Sequence, residues 1–235
     1  MLFLRSLLYF IGSITSLVVI AFFGLFFYFT PYSSRYRVLS KWAQFCIWWL
    51  RVATNITIKV VGRENICSEP CVITSNHQST WETLAFQTVF PPHTWVLKKE
   101  LLFIPIFGWN LAMLSPIIIN RGDKFRAIKQ VIKQGNDRLN SGISVVIFPE
   151  GTRQPYKKLG HYQNGATAIA KKSGKPIQPV FHNAGRCWPK GGFLKKPGVI
   201  TIVIGKPIYP NDGSASEITE QIKNWTFEQS QKIGN

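Results

Sequence analysis

A long apolar stretch lies near the amino terminus. No charged residue occurs between Ser6 and Ser34, and residues 7–29 are almost wholly Leu, Ile, Val, Phe and small side chains. Because about 20 apolar residues in an α-helix cross the ~30 Å hydrocarbon core of a bilayer, this stretch predicts a membrane segment. A cleavable signal peptide is the alternative. It is disfavoured because its apolar region is normally ~7–15 residues long and is followed by a small-residue cleavage site.

The charges around this segment predict its orientation. One basic residue precedes it and several follow it: Arg5 before, then Arg35, Arg37 and Lys41. Cytoplasmic flanks carry the excess of Lys and Arg. We therefore expect the rest of the chain to lie on the cytoplasmic face of the inner membrane.

A second, aromatic-rich segment follows at residues 41–52. Its bulky residues lie close together, a composition typical of a helix at the level of the lipid headgroups: Trp42, Phe45, Cys46, Trp48 and Trp49. The pattern leaves open whether the first helix spans the bilayer or forms a half-buried hairpin with this second one.

Beyond residue 54, short apolar runs alternate with helical patterns. Several runs are continuously apolar, as expected for strands of a sheet that is covered on both faces. We predict strands at residues 56–61, 71–75, 95–98, 117–119, 144–148, 176–181 and 199–204. We predict helices at residues 80–89, 105–113, 123–140, 163–173 and 216–231. The alternation indicates an α/β catalytic domain over residues 55–235, a mixed sheet flanked by helices, behind membrane-associated helices in residues 1–54.

Charge and cysteine content narrow the possible partners. The chain has 28 Lys and Arg against 11 Asp and Glu, a formal charge of +17, which favours anionic lipid, acidic proteins or nucleic acid. Lysine clusters at 157–158, 171–175 and 195–196 could hold the domain against an anionic membrane.

The four cysteines lack the paired spacing of a zinc site and the pattern of a disulfide framework. We predict reduced thiols and no metal.

A histidine and a carboxylate lie five positions apart, directly after the predicted strand at 71–75. On one continuous helix His77 and Glu82 would diverge by ~140°. A turn followed by a helix beginning near Thr80 lets the Glu82 carboxylate reach the His77 ring. Such a pair is a general base and the acid that orients it, with no Ser or Cys nucleophile required. The alternative is a capping box from Ser79 to Glu82, and the spacing leaves both roles open.

A second polar cluster follows the predicted strand at 144–148. It supplies Glu150, Gly151, Thr152 and Arg153 at the carboxyl end of that strand, where open α/β sheets bind ligands. Gly151 permits close backbone approach, and Arg153 offers a planar fork suited to phosphate. A surface turn held by a Glu150–Arg153 ion pair is the alternative.

Four sequence blocks occur in a fixed order. They are His-x-x-x-x-Glu from His77, the block from Gly108 to Arg121, Phe-Pro-Glu-Gly-Thr-Arg from Phe148, and Pro-Ile-Gln-Pro-Val from Pro176. Taken alone, Arg121 also fits ordinary surface charge. The ordered set resembles the motif blocks of the glycerolipid acyltransferase family, in particular its bacterial 1-acylglycerol-3-phosphate acyltransferases. The similarity covers roughly residues 60–207, with one departure, a glutamate at position 82 where the family usually has aspartate.

The resemblance implies acyl transfer at a membrane surface. A fatty acyl group would pass from a thioester, on acyl carrier protein or coenzyme A, to the sn-2 hydroxyl of 1-acyl-sn-glycerol 3-phosphate, giving phosphatidic acid without a metal or organic cofactor. His77 would be the base and Glu82 its partner. The acceptor's glycerol phosphate would be bound by Arg121, Glu150, Gly151, Thr152 and Arg153. The fourth block would shape the acyl pocket.

Other functions compete with this interpretation. A related acyltransferase would use a different lysophospholipid acceptor. A membrane-tethered basic protein would bind nucleic acid or an acidic partner in a salt-sensitive way that does not depend on His77. A lipase is disfavoured because the chain has no G-x-S-x-G sequence. We therefore expect a lysophospholipid, an acyl donor and an anionic membrane as partners, and no nucleic acid.

Overall fold

Two long helices precede an α/β domain in the computed structural model, which describes residues 1–119, 124–211 and 213–233. The helices are α1 (Leu2–Gly24), α2 (Tyr32–Thr54), α3 (Trp81–Val89), α4 (Phe107–Met113), α5 (Lys124–Asn140), α6 (Gly165–Ser173) and α7 (Ala215–Ile233). The strands are β1 (Ile56–Val61), β2 (Val72–Ser75), β3 (His93–Lys98), β4 (Ile117–Ile119), β5 (Ser144–Ile147), β6 (Ile177–His182) and β7 (Gly198–Ile204). All the strands and helices predicted beyond residue 54 are present, with their ends within two residues of the prediction.

The seven strands form one sheet in the order β1-β7-β6-β2-β5-β3-β4. Strands β6, β2, β5, β3 and β4 run parallel to one another, whereas β7 is antiparallel to β6 and parallel to β1. The predicted fold class, a mixed sheet flanked by helices, is confirmed. The carboxyl ends of β2, β5 and β6 consequently lie at the same edge of the sheet.

The central strands are buried along their whole length. Every residue of β2, β5 and β6 is buried, which explains why their sequences are continuous rather than alternating apolar runs. Successive side chains point to opposite faces. Ile73 and Val146 belong to a core that also contains residues of α2 and α3, whereas Val72 and Val145 belong to a second core completed by α5, α6 and α7.

Helix α1 lies along the α/β domain, with a contact near each end. Near its start the backbone N–H of Lys195 donates to Ser6 Oγ (2.9 Å), and near its end Asn110 Nδ2 donates to the Ala21 carbonyl (3.0 Å). Between these contacts α1 packs on α2. The stretch Leu2–Phe27 is long and apolar enough to cross a membrane, and many of its large side chains are exposed. Both ends of the apolar helix are nevertheless held by the same domain.

Helix α2 extends well beyond the predicted aromatic segment at 41–52. One face of it belongs to the protein core, since Cys46 and Leu50 are buried, while Trp48 on another face is 56% exposed. The helix ends at Thr54 and is capped by Asn55, which adopts the left-handed conformation (φ 58°), and β1 begins at the next residue. Helix α2 therefore joins α1 to the sheet.

Candidate active site

The candidate site lies at the carboxyl ends of the three central parallel strands. His77 follows β2, Glu150 follows β5, and His182 is the last residue of β6. Parallel alignment brings these ends together, which is where open α/β sheets bind ligands. The structure thus places the two predicted polar clusters at one edge and adds a histidine that was not predicted.

The predicted base and its carboxylate are in direct contact. His77 Nδ1 lies 2.6 Å from Glu82 Oε1. A carboxylate can only accept a hydrogen bond, so Nδ1 is the donor, and in the neutral tautomer with this contact Nε2 carries the lone pair. The ring is 16% exposed and stacks on Phe148, with ring centroids 4.1 Å apart and an interplanar angle of 12°. The hydrogen bond and the ring stack therefore hold the His77 ring in one orientation, with Nε2 as the nitrogen that is free to face a substrate.

The capping alternative is present as well. Glu82 Oε1 also accepts the backbone N–H groups of Gln78 (3.0 Å) and Ser79 (2.9 Å), and Ser79 Oγ accepts the Trp81 N–H (3.1 Å). Helix α3 begins at Trp81 with Thr80 as its N-cap, one residue later than predicted. Glu82 Oε1 thus caps the start of α3 and also orients the His77 ring. The capping role and the role of orienting the base, between which the sequence spacing did not decide, are therefore compatible.

The Glu82 side chain is fully buried, yet its pKa is lower than that of an ordinary glutamate. Burial alone would raise its pKa, but the nearby Nε2–H dipole of His182 and the hydrogen bonds from His77 and Ser79 outweigh this effect and lower the pKa below its ordinary value. Its second oxygen, Oε2, has no hydrogen-bond partner among the described residues and lies 3.9 Å from His182 Nε2. The carboxylate is therefore ionised at neutral pH.

His182 is a buried residue of the site that sequence reasoning missed. Its Nε2–H donates to the Asn76 carbonyl (3.0 Å), and its Nδ1 accepts the Ala184 N–H (3.3 Å). The Asn76 side chain exchanges two further hydrogen bonds with the backbone of His182. Burial lowers the pKa of His182 despite the nearby Glu82 carboxylate, so the ring is neutral. Its position at the end of a strand parallel to β2 is the signal that could have identified it.

Glu150 connects the two predicted loops through their backbones. Its Oε2 accepts the His77 N–H and its Oε1 accepts the Gly160 N–H, both at 2.8 Å, while the Gln154 N–H donates to the His77 carbonyl (2.7 Å). Burial raises the pKa of Glu150 to about 7, although both hydrogen bonds act in the opposite direction. The carboxylate thus faces backbone N–H groups and forms no ion pair with Arg153, so the alternative of a surface turn held by a Glu150–Arg153 ion pair is wrong.

The remaining residues of this loop are more accessible. Gly151 has a positive φ of 66°, which favours glycine, and Thr152 is exposed. Arg153 is half-buried, and its carbonyl accepts a hydrogen bond from Lys190 Nζ (3.0 Å). Arg121, the other predicted phosphate ligand, lies outside the described residues. The structure therefore places four of the five predicted acceptor-binding residues beside His77.

The second and fourth motif blocks have structural explanations. A Cβ on Gly108 would lie 2.3 Å from the Leu102 carbonyl oxygen, so the close approach of α4 to the preceding segment requires glycine. The fourth block forms most of β6, where Ile177 and Val180 are buried in the two cores on opposite faces of the sheet. Both blocks thus hold the framework around the site.

Comparisons with known proteins identify the family of this chain. The model of the Acyltransferase family matches residues 57–183. A 1-acyl-sn-glycerol-3-phosphate acyltransferase of Pseudomonas aeruginosa is 46% identical over 202 residues, covering 84% of this chain and 79% of that protein. An acyltransferase of the same kind from Chlamydomonas reinhardtii is 32% identical over 158 residues, covering 66% of this chain and 47% of that protein.

A solved structure shares the fold. The crystal structure of the 1-acyl-sn-glycerophosphate acyltransferase from Thermotoga maritima matches with a TM-score of 0.81 over 98% of this chain and 95% of that one, at 22% identity. The residues matched by the family model include His77, Glu82 and the loop at 150–153. The resemblance drawn from the four motif blocks is confirmed, and the chain is an enzyme that belongs to the Acyltransferase family.

Proposed function

We propose that this acyltransferase moves a fatty acyl group from an acyl thioester to the sn-2 hydroxyl of 1-acyl-sn-glycerol 3-phosphate, forming phosphatidic acid. The observation that carries the proposal is the 2.6 Å contact of His77 Nδ1 with Glu82, which leaves Nε2 as a proton acceptor. The acceptor assignment is supported by the name of the Pseudomonas aeruginosa relative. The donor is acyl carrier protein or coenzyme A bearing the acyl group, and the reaction uses no metal or organic cofactor.

The base acts in a single displacement. His77 Nε2 takes the proton of the acceptor hydroxyl as its oxygen attacks the thioester carbonyl carbon, forming a tetrahedral oxyanion. The carbon–sulfur bond then breaks, the carbonyl re-forms as the ester, and the leaving thiolate takes up the proton that His77 Nε2 gives back, which restores the neutral base. Thiolate is a good leaving group, so the site needs no strong general acid.

The electrostatics of the pair suit this step. Taking the proton turns His77 into an imidazolium, and the ionised Glu82 beside Nδ1 stabilises that charge. The glutamate is one methylene longer than the aspartate usual in the family, but the turn before α3 brings its carboxylate to hydrogen-bonding distance. The departure at position 82 therefore preserves the interaction on which the mechanism depends.

The acceptor phosphate binds at the neighbouring loop. Thr152 and Arg153 offer a hydroxyl and a guanidinium, Gly151 allows close approach, and Arg121 completes the set in this proposal. Glu150 contributes by holding the backbone of His77 to the loop. Fixing the phosphate at a set distance from His77 turns binding energy into orientation of the hydroxyl.

The proposed setting is the cytoplasmic surface of the inner membrane. Helix α1 is apolar, is held by the domain near both ends, and leaves many of its large side chains exposed. This arrangement supports a helix that lies in one leaflet of an anionic membrane, with the catalytic domain in the cytoplasm. Both the lysophospholipid and the product belong to that leaflet.

An acceptor and donor panel tests the proposed reaction. Purified protein is mixed with radiolabelled acyl-carrier-protein and acyl-coenzyme-A donors and with lysophospholipids that differ only in headgroup. We expect labelled phosphatidic acid from 1-acyl-sn-glycerol 3-phosphate with at least one donor, and much slower transfer to lysophosphatidylcholine. Faster transfer to a lysophospholipid without a terminal phosphate would overturn the acceptor assignment. Release of free fatty acid as the main product would mean that the protein hydrolyses the donor, and it would overturn the proposal of acyl transfer.

A further inference from the structure

The loop at residues 188–197, which leads into β7, carries an exposed apolar tip. Its sequence is Trp-Pro-Lys-Gly-Gly-Phe-Leu-Lys-Lys-Pro. Phe193 is 38% exposed and Leu194 is 43% exposed, whereas the next residue, Lys195, is only 5% exposed. On a loop that faces water, the lysine side chain would be exposed and the phenylalanine side chain would be buried. Here the exposures are reversed.

Lys195 fastens this loop to helix α1. Its Nζ lies 4.5 Å from the Trp188 ring centroid and 5.6 Å from that of Tyr9 in α1, and it donates to the Phe193 carbonyl (2.7 Å). Its backbone N–H donates to Ser6 Oγ (2.9 Å). Lys195 is therefore unavailable to lipid, and the predicted cluster at 195–196 is wrong in that respect, because only Lys196 is exposed.

The tip of the loop is continuous with the apolar face of α1. The Phe193 ring lies 5.4 Å from Phe3 and 6.1 Å from Phe10, measured between ring centroids. Phe3 and Phe10 are themselves 59% and 48% exposed. Two segments far apart in sequence thus present one apolar surface, which is larger than either segment provides alone.

The same loop contacts the candidate active site. Lys190 Nζ donates to the Arg153 carbonyl at 3.0 Å. Lys190 and Lys196 are exposed on either side of the apolar tip. Exposed lysines that flank an apolar tip suit the boundary between anionic lipid headgroups and acyl chains. The charge and the continuity with α1 favour a bilayer over a protein partner.

We propose that residues 188–197 form a membrane-inserting loop, in which Phe193 and Leu194 enter the leaflet beside α1 and Lys190 holds the Arg153 backbone at headgroup depth. The loop thereby sets the height of the acceptor-binding residues above the lipid from which the acceptor comes. The inference rests on the proposed function only for the leaflet position of α1. Its insertion can be measured without turnover.

Quenching by brominated lipid tests the insertion. Full-length Phe193→Trp and Phe227→Trp proteins contain equal numbers of tryptophans, and Phe227 is a control that is 55% exposed on α7. Both proteins are placed in vesicles of phosphatidylcholine and phosphatidylglycerol, with and without bromine on the acyl chains. We expect the Phe193→Trp protein to lose the larger fraction of its emission. Equal quenching of the two proteins would overturn the proposal.

A kinetic comparison tests the consequence for the acceptor. The Phe193→Ser/Leu194→Ser protein should show roughly tenfold lower kcat/KM for acceptor presented in vesicles, from the loss of apolar burial. Its rate with a water-soluble short-chain acceptor should equal that of wild type, and Phe227→Ser should change neither rate. An equal loss with both acceptors would contradict the inserted loop. Inactivity of the wild-type protein would refute the proposed function and leave the quenching result intact.

Discussion

At the scale of single residues, Glu82 shows why the sequence predicted the centre of the site well. Its Oε1 accepts from the His77 ring and from the Ser79 backbone, both within five positions in the chain. Contacts this local follow from a turn and a helix start, so spacing was enough to predict them. The role of Glu150 could not be predicted in this way, because it depends on the backbone N–H of a residue 73 positions away.

Replacing Glu82 by glutamine separates its charge from its capping role. The amide oxygen of Glu82→Gln can still accept backbone N–H groups, but it cannot stabilise an imidazolium. We expect kcat to fall by roughly 10²–10⁴-fold while the melting temperature stays close to that of wild type. Steady-state kinetics and thermal unfolding in the same detergent measure both. A variant that keeps its rate, or that simply unfolds, would contradict this division of roles.

Glu150 makes a prediction about stability and pH. Burial raises its pKa from 4.5 to about 7, so the folded protein binds this proton more tightly than the unfolded chain. The stabilisation from this group is complete below pH 4.5 and is lost as the pH rises through about 7. We expect the unfolding free energy of wild type, relative to Glu150→Gln, to fall with rising pH by up to ~1.4 kcal/mol per unit. Denaturant titrations between about pH 5 and about pH 8 measure it, and a constant difference would contradict the assignment.

At the scale of secondary-structure elements, three strand ends and the turns after them build the site. The short, continuously apolar runs predicted the strands, and the parallel order of β2 and β5 brings His77 and the loop at 150–153 together. The contribution of β6 was missed because Asn76 and His182 are 106 positions apart and neither lies in a periodic pattern. Arg121 lies outside the described residues, so its part in the site stays a prediction.

His182 links the end of β6 to the Glu82 carboxylate. Its Nε2 lies 3.9 Å from Glu82 Oε2, an oxygen without a hydrogen-bond partner in the described part of the chain, so the effect of His182 on the rate should depend on the charge of Glu82. We expect His182→Gln to lower kcat roughly tenfold in wild type and hardly at all in the Glu82→Gln background. A double-mutant cycle of kcat measures the coupling. Additive losses would show that His182 only supports the fold.

At the scale of the whole molecule, the chain combines a basic α/β domain with an apolar helix laid along it. The uncharged apolar stretch at residues 7–29 predicted a membrane segment, and the formal charge of +17 favoured an anionic partner, a lipid surface among them. The position of α1 could not be read from hydropathy, because it depends on single contacts from Lys195 and Asn110 in the distant domain. These contacts favour the half-buried hairpin over a spanning helix, because α1 is held near both ends by the same domain.

The topology of the amino terminus tests this placement. If α1 lies in the leaflet along its domain, an epitope tag fused before Met1 and the segment after α1 share the cytoplasmic side. We expect a protease added to intact spheroplasts to spare the tag and to remove it after the membrane is permeabilised. A periplasmic marker protein should be digested in both cases. Removal of the tag from intact spheroplasts would show a spanning helix and contradict the structure.

The most direct measurement of the central claim is the rate of acyl transfer by His77→Ala compared with wild type. His161→Ala, which removes an exposed ring outside the proposed machinery, is the matched control. If His77 takes the proton of the acceptor hydroxyl, kcat for His77→Ala falls at least about a hundredfold, with acceptor binding retained and the control close to wild type. If His77→Ala transfers the acyl group as fast as His161→Ala does, His77 is not the base.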